Sequence, residues 1–455
     1  MACSIALGAS SLKTKALAFL SPLFIAAVAR ELGLRWRNTP LALPNLVACF
    51  ARQILGGNLS MPELTRLTGS KFTPEAFCTA RGKLPLMLLR HLLLKIGELA
   101  GTSDGRWKGH RLWHMDGTGI SMPDTPALQA RFGQPGQQRK GCGFPVAHVL
   151  CLFGATSGML RDCIISPLRT HDMARAGKLH SYLAPGDILV ADRAFECFTH
   201  LAMLLVAGVH ALFPVHQRRR VDFRQKRRLR SRFKKRQGSR RGVRGPLYDR
   251  EVLRRCGERD QVVRWRKPMQ KPAWATQEQF DSLPETIEVR ELRRRVRMDD
   301  GRWQEITLVT TLLDEQKYSA EELVDLLKAR WGVEVNLRHL KTTMKMNVLR
   351  SQTPAGIERE ICMYAIVYNA VRLVMLEAAA RQKVEVDRTS FADALYWVRH
   401  GDLQSVLPLL SRVPHRPGRV EPRLKKRRND HFGLLTRPRD QMRRLPRSKR
   451  SRRKI

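Results

Sequence analysis

Hydrophobic and polar residues repeat with a helical period through the first part of the chain. Between Leu17 and about Leu99, glycine and proline occur only at punctuation points such as LGGNLS and TGSKFTP. Apolar side chains at these intervals line one face of a helix, as in a helical bundle. The pattern predicts a helical N-terminal domain over residues 1–105.

Start signals mark two short helices within this domain. Ser60 is followed by Glu63 three residues later, which predicts a capping box, and Thr73 precedes Pro74, which suits an N-cap with a first-turn proline. Joined by TGS, the two helices resemble a helix-turn-helix. An ordinary helix pair in a bundle explains the same residues, so DNA contact by this pair is one of two open interpretations.

The period changes from helix to strand after the glycine-rich AGTSDGRWKG. RLWHMDGTGI predicts one strand, and VAHVLCLFGATSGMLRDCIIS predicts two strands joined at TSG. Strands at ILVA and VHALFPVH then alternate with helical segments. This order of elements predicts an α/β fold with a mixed sheet, whose first part occupies residues 106–216.

An interruption follows over residues 217–305. It opens with a run of arginine and lysine too charged for a core, which we expect to be partly disordered until it meets phosphate. It then becomes strand-like, and Asp300-Gly301 favours a hairpin turn. We predict a basic loop and a β-rich insertion, after which Ser319 and Glu322 predict a capped long helix.

The remaining segments follow from the same patterns. The second part of the core, with the long helix, is predicted over 306–375, C-terminal helices over 376–410, and a basic, proline-broken, disordered tail over 411–455.

Charge is the outlier in the composition. The 455 residues include 83 lysines and arginines against 41 acidic residues, a formal net charge of +42. Such a positive field suits binding to a polyanion that releases its counterions, so nucleic acid is the leading partner and an anionic membrane a distant second.

The apolar stretch Ala16–Ala29 is broken by Ser21 and Pro22 and is too short to span a bilayer, so we predict a buried helix and no membrane partner. Nine scattered cysteines without a CxxC pair fit reduced thiols in a cytosol and neither a disulfide framework nor a zinc site.

Two carboxylates directly follow apolar strand residues. Asp116 lies in LWHMDGTG and is followed by a glycine that permits close approach, and Asp192 lies in ILVADRAF. Both side chains can project from neighbouring strand ends into one site. A buried ion pair of Asp192 with Arg193 is the alternative, although adjacent strand residues face opposite sides and Arg193 then suits a phosphate-binding or orienting role.

A third carboxylate comes from KARWGVEVNLRHLK. On a helix, Arg330, Glu334 and Lys341 share one face, and the apolar Trp331 beside them indicates burial. A solvated ion pair at i, i+4 is the competing interpretation of Arg330 and Glu334. Other acids are predicted elsewhere: Asp124 and Asp187 in turns, Asp162 exposed on a hairpin, and Asp172 as an N-cap.

Three carboxylates without close cysteine or histidine partners are hard oxygen ligands, which select Mg²⁺ or Mn²⁺ over zinc. Two such ions would activate the attacking oxygen and stabilise the leaving oxygen in phosphodiester chemistry. Asp116, Asp192 and Glu334 are therefore the predicted catalytic residues and metal ligands.

At these residues the chain resembles the DDE transposases of bacterial insertion sequences, specifically the IS-four family. HMDGTG, ADRAF and LKARWGVEVNLRHLK match its motifs in order, and Arg330, Glu334 and Lys341 keep the spacing of its Y-(2)-R-(3)-E-(6)-K motif. One position departs from that motif, because Leu327 stands where it has tyrosine. The resemblance extends from the helical N-terminal part to about residue 375.

The resemblance implies a ribonuclease-H-like catalytic core with a β insertion, preceded by helices that recognise the terminal inverted repeats. It implies DNA-end phosphate contacts for Arg330 and Lys341, and a homodimer that brings two ends together in a bacterial, nucleoid-associated setting. Leu327 leaves open whether cleavage passes through a DNA hairpin. Two alternatives remain: a basic nucleic-acid-binding protein without catalysis, and a metal-dependent nuclease that cuts without joining.

Overall fold

The structure of the chain is a computed structural model. The structure describes residues 18–69, 71–101, 105–170, 172–217, 219, 221–223, 228–229, 250–297, 303–400, 410–412 and 435–443.

One ten-stranded mixed sheet runs through the described residues, in the order β3-β2-β1-β4-β5-β10-β9-β8-β7-β6. The pairs β1–β4 and β4–β5 are parallel, and every other neighbouring pair is antiparallel. The strands are β1 Leu112–Ser121, β2 Val146–Gly154, β3 Leu160–Pro167, β4 Ile188–Ala191, β5 His210–Pro214, β6 Arg228–Leu229, β7 Arg250–Gly257, β8 Asp260–Arg266, β9 Thr286–Arg297 and β10 Trp303–Thr310.

Helices cover the sheet and precede it. The α-helices are Pro22–Glu31, Leu43–Leu55, Met61–Thr68, Pro74–Lys83, Leu86–Gly97, Pro126–Phe132, Met173–Leu179, Phe198–Val206, Gln277–Asp281, Ala320–Ala329, Trp331–Arg338, Pro354–Gln382, Phe391–His400 and Arg439–Arg443. The predicted α/β fold with a mixed sheet is confirmed.

Several residues predicted to cap helix N-termini make the expected hydrogen bonds. The hydroxyl of Thr73 accepts from the amide of Ala76, and Ser319 forms a full capping box with Glu322. The Ser60 hydroxyl accepts a hydrogen bond from the amide of Glu63. The second bond of a capping box, from the Ser60 amide to the Glu63 carboxylate, is not among the hydrogen bonds described at this helix start. The predicted Asp300-Gly301 turn lies outside the described residues, although β9 and β10 pair as the hairpin requires.

The N-terminal helices share a hydrophobic core with the sheet. Ile54, Phe77 and Leu89 belong to the same buried cluster as Leu152 of β2 and Tyr364 of the long helix Pro354–Gln382. That helix is long and apolar enough to cross a membrane by length and composition, yet 94% of its most apolar window is buried in the protein. Its apolar character is therefore accounted for by core packing.

Two predicted domain boundaries fall inside observed elements. Residue 375 lies inside the helix Pro354–Gln382, and residue 305 lies inside β10. The predicted insertion continues the core sheet, because β10 pairs with β5. Within the predicted disordered tail, residues 435–443 carry a short helix, whose Arg439 binds Asp124 with two contacts of 2.9 and 2.7 Å.

Two acidic residues differ from their predicted surroundings. Asp162 is buried rather than exposed, because Arg90 pairs with it at 3.2 Å and the Tyr182 hydroxyl donates to it. Asp172 stands at the N-cap position but makes no capping bond, and its Oδ1 instead lies 2.6 Å from Nδ1 of His148.

Candidate active site

The sheet places two of the three predicted carboxylates side by side. In the parallel β1–β4 ladder, Met115 pairs with Ala191, so Asp116 and Asp192 follow the last paired positions of the two strands. Asp192 ends β4 as predicted. Asp116 does not end its strand, because β1 continues to Ser121 in its pairing with β2.

Glu334 reaches this place from the helix Trp331–Arg338, which packs on β1. The long helix predicted here is interrupted at Arg330, which caps both Ala320–Ala329 and the following helix. Arg330 lies between two of the acids: its guanidinium is 3.5 Å from Asp116 Oδ2 and 3.5 Å from Glu334 Oε1. The Arg330 side chain is only 9% exposed, whereas that of Glu334 is 47% exposed, so the i, i+4 pair joins a buried arginine to a solvent-accessible carboxylate.

Electrostatic coupling ties the three carboxylates together. Burial raises the pKa of Asp116, and the negative charges of Asp192 and Glu334 raise it further. The backbone amide of Gly117, 2.8 Å from Asp116 Oδ1, and the guanidinium of Arg330 act in the opposite direction. Like charges held this close favour a cation among them, and Arg330 supplies a positive charge at this point.

His114 is a site neighbour that sequence reasoning missed. It lies two residues before Asp116 on β1, so both side chains project from the same face. Burial, and then the nearby Arg330, lower the pKa of His114 to about 4, which keeps the ring neutral near pH 7. The period-2 relation to Asp116 is the signal that could have identified it.

Asp192 is less buried than its apolar strand suggested. Its side chain is 41% exposed, and its Oδ1 accepts from the backbone amide of Arg193 at 2.7 Å. The Arg193 guanidinium is 53% exposed and lies 3.9 Å away, so the alternative of a buried Asp192–Arg193 pair is wrong.

A cleft of about 290 Å³ opens beside Asp192. Arg193 and Arg330 line it, and Leu327, at the position of the motif's tyrosine, supplies part of its apolar wall. Trp331, predicted to be buried, is 55% exposed at this cleft. With Glu305 and Lys328 also in its lining, the cleft joins two carboxylates, three cations and an exposed aromatic ring.

Lys341 lies on a π-helical turn, His339–Thr343, rather than on the uninterrupted α-helix that its spacing assumed. Burial lowers the pKa of its half-buried ammonium group. Single π turns within helices occur frequently at functional sites.

Gly117 lets polar groups pack directly behind Asp116. A Cβ at this position would lie 2.7 Å from Oδ2 of Asp172 and 3.0 Å from Cε1 of His148, whereas a Cβ at Gly119 would meet only Val146, at 3.5 Å. The glycine that the sequence marked as permitting close approach therefore accommodates the Asp172–His148 pair, on the face opposite Asp116.

We predict that Gly117→Ala lowers the free energy of unfolding by about 1 to 3 kcal/mol through overpacking, while the matched Gly119→Ala leaves it unchanged or raises it by up to about 1 kcal/mol. Urea denaturation of the two variants checks this. Asp172→Ala in the Gly117→Ala background should recover part of the loss. Equal stability of both glycine variants would contradict the packing argument.

The donor atoms suit a hard divalent cation, because Asp116, Asp192 and Glu334 offer carboxylate oxygens. Within the part of the chain that the structure describes, however, no three His, Cys, Asp or Glu side chains are gathered closely enough to hold an ion together. Arg330 lies between two of these carboxylates, 3.5 Å from Asp116 Oδ2 and 3.5 Å from Glu334 Oε1.

Comparisons with known proteins agree with the motifs. Residues 107–370, more than half of the chain, match the family described as Transposase DDE domain. Over 380 residues the chain is 22% identical to the transposase InsG for insertion sequence element IS4 of Escherichia coli (strain K12), which covers 80% of this chain and 77% of that protein. A cryo-EM structure of the piggyBac transposase synaptic complex with hairpin DNA aligns with 84% of this chain and 79% of that one, at 9% identity and a TM-score of 0.44, too distant a likeness to bear on the site.

Proposed function

This chain belongs to the transposase DDE domain family and acts in DNA transposition as an IS4-type transposase, and from that premise we propose that Asp116, Asp192 and Glu334 are its catalytic carboxylates. Membership in the family implies phosphodiester cleavage and transesterification on DNA. We propose that water hydrolyses a strand at each element end and that the freed 3′-hydroxyl then attacks a target phosphodiester.

One observation carries the assignment of the carboxylates. Asp116 and Asp192 follow adjacent parallel strand positions, and the charges of Asp192 and Glu334 both raise the pKa of Asp116. A partly buried carboxylate such as Asp116, with two other negative charges acting on it, is stabilised in its ionised form by a nearby positive charge. A solvated ion pair explains neither this convergence nor the burial of Arg330.

The family generally uses divalent metal ions, and we propose two Mg²⁺, with Mn²⁺ as a substitute, held by Asp116, Asp192 and Glu334. Bound there, the ions would supply activation of the attacking oxygen and stabilisation of the leaving oxygen. Arg330 must give up its contacts with Asp116 and Glu334 for these carboxylates to serve as ligands. Neutral His114 adds no positive charge beside Asp116 that would compete with a cation.

Arg193, Arg330 and Lys341 are the proposed DNA contacts. Arg193 is exposed at the rim of the cleft, where a phosphate can reach it. Arg330, once released from the acids, would bind a phosphate of the DNA end as a bidentate donor. Leu327 offers no hydroxyl to a phosphate, so we propose that end positioning relies on these cations.

The other parts of the chain receive their proposed roles from the same premise. Residues 106–216 with 306–375 would form a ribonuclease-H-like core, and residues 1–105 would bind the terminal inverted repeats. The segment 217–305 and the tail 411–455 would add sequence-independent attraction to double-stranded DNA. We propose a homodimer in a synaptic complex and a location in the bacterial cytoplasm at the nucleoid.

Strand transfer is the test of this function. With a labelled inverted-repeat end, a target plasmid and Mg²⁺, the protein is expected to nick the end and join it to the plasmid. A nuclease would cut without joining, and a basic DNA-binding protein would retard the labelled end uncut. Only the joined product supports transposition by this chain.

A further inference from the structure

A buried ion pair lies directly behind the turn that carries Asp192. The turn Arg193–Phe195 is closed by a bond of 2.9 Å from the Phe195 amide to the Asp192 carbonyl, and Glu196 ends it. The Glu196 side chain is 1% exposed, and its Oε1 lies 2.6 Å from Nε of Arg219, which is 3% exposed. The backbone amide of His216 donates to Oε2 of Glu196 at 3.1 Å.

Further contacts link this ion pair to strands β7, β8 and β9. The Arg219 guanidinium lies over the indole of Trp265, 3.6 Å from the ring centroid, and the Trp265 Nε1–H donates to Glu291 at 3.1 Å. Glu291 is fully buried and also pairs with Arg250. A chain of buried polar contacts therefore runs from the turn after Asp192, through β8 and β9, to the start of β7.

Stability alone does not account for this arrangement. Desolvating two ion pairs costs several kcal/mol per ion, and well-packed apolar residues of similar volume are often as stabilising or more so. Buried pairs of this kind instead fix one arrangement of the groups they join. Here the joined groups are the turn bearing a proposed metal ligand and the sheet formed by β7, β8 and β9.

We propose that Glu196 and Arg219 are positioning residues for Asp192, holding its carboxylate in the orientation that binds the metal ion. This inference rests on the proposed function, because it concerns the same site. Glu196 acts through the hydrogen-bonded turn and touches neither DNA nor the reacting atoms. Supporting groups behind metal ligands typically change metal affinity by about 10- to 100-fold when they are replaced.

Three variants separate positioning from folding. Glu196→Gln keeps the shape of the side chain but removes the negative charge that lies against Arg219. Glu196→Gln with Arg219→Met removes both charges and should recover the stability that the single change loses. Glu288→Gln is the matched control, because it removes a carboxylate from the exposed Arg264–Glu288 pair of the same strands.

Two readouts are needed, Mn²⁺ affinity by calorimetry and the Mg²⁺ concentration that gives half-maximal nicking of a labelled inverted-repeat end. Both are expected to weaken by about 10-fold or more in the single and the double Glu196 variants, and to remain at the wild-type value in Glu288→Gln. If the double variant regains both stability and wild-type metal dependence, the pair is merely structural and the proposal fails. If the wild type binds Mn²⁺ but nicks no DNA, the proposed function fails instead, and the Mn²⁺ affinities still decide the role of Glu196.

Discussion

Glu334→Gln is expected to stop nicking of the transposon end while leaving DNA retardation intact. The amide keeps the size of the side chain but removes the negative charge that a divalent ion requires. Metal-assisted stabilisation of the transition state amounts to several kcal/mol, so we expect nicking to fall by on the order of 10³-fold or more. DNA binding should persist, because a lost carboxylate removes no cation from the protein surface.

The measurement compares single-turnover nicking with gel retardation on the same labelled end. Glu385→Gln is a suitable control, since it neutralises an exposed carboxylate outside the site and should nick at the wild-type rate. Asp116→Asn and Asp192→Asn should reproduce the loss. Residual nicking within about tenfold of wild type in all three variants, a difference of about 1.4 kcal/mol in barrier, would remove these carboxylates from the chemistry.

DNA affinity is expected to fall steeply with salt. With a formal net charge of +42, the protein should release many counterions from the phosphates it contacts. A protein that contacts about six to ten phosphates loses on the order of 10³- to 10⁵-fold in affinity between about 50 and about 200 mM salt. Retardation titrations across this range measure the slope.

Removing residues 444–455 isolates the contribution of the last basic segment. The truncation keeps the helix Arg439–Arg443 and its contact with Asp124, so we expect the described fold to be retained. We expect a shallower salt slope and a smaller loss of affinity at high salt than at low salt. A flat response of the full-length chain would exclude the basic segments as phosphate contacts.

Much of the site could be read from the sequence, for a physical reason. A run of apolar residues followed by a carboxylate, as at Asp192, indicates a buried strand and a charged side chain at its carboxyl end. Helical spacing similarly placed Arg330 and Glu334 within reach of each other, as observed at 3.5 Å. Such local periodicities are properties of consecutive residues and need no knowledge of the fold.

Apart from His114, whose signal was local, the missed features depend on partners distant in the chain. Asp162 is buried because Arg90, 72 residues away, pairs with it, and Glu196 is buried because Arg219 does the same. The predicted boundary at 305/306 falls within β10, because no local pattern indicates that β10 pairs with β5. Periodicity identifies strands, but the order in which they pair depends on the whole sheet.

The pairing of β10 with β5 limits which internal segments can be deleted from the protein. Excising the segment between β5 and β10, together with β10, would strip β5 of its neighbour and leave a row of unsatisfied amide and carbonyl groups along it. Bare edges of this kind recruit strands from other molecules and cause aggregation. Derivatives that lack β10 should therefore precipitate for reasons unrelated to nucleic acid, and point substitutions are the appropriate way to dissect this part of the sheet.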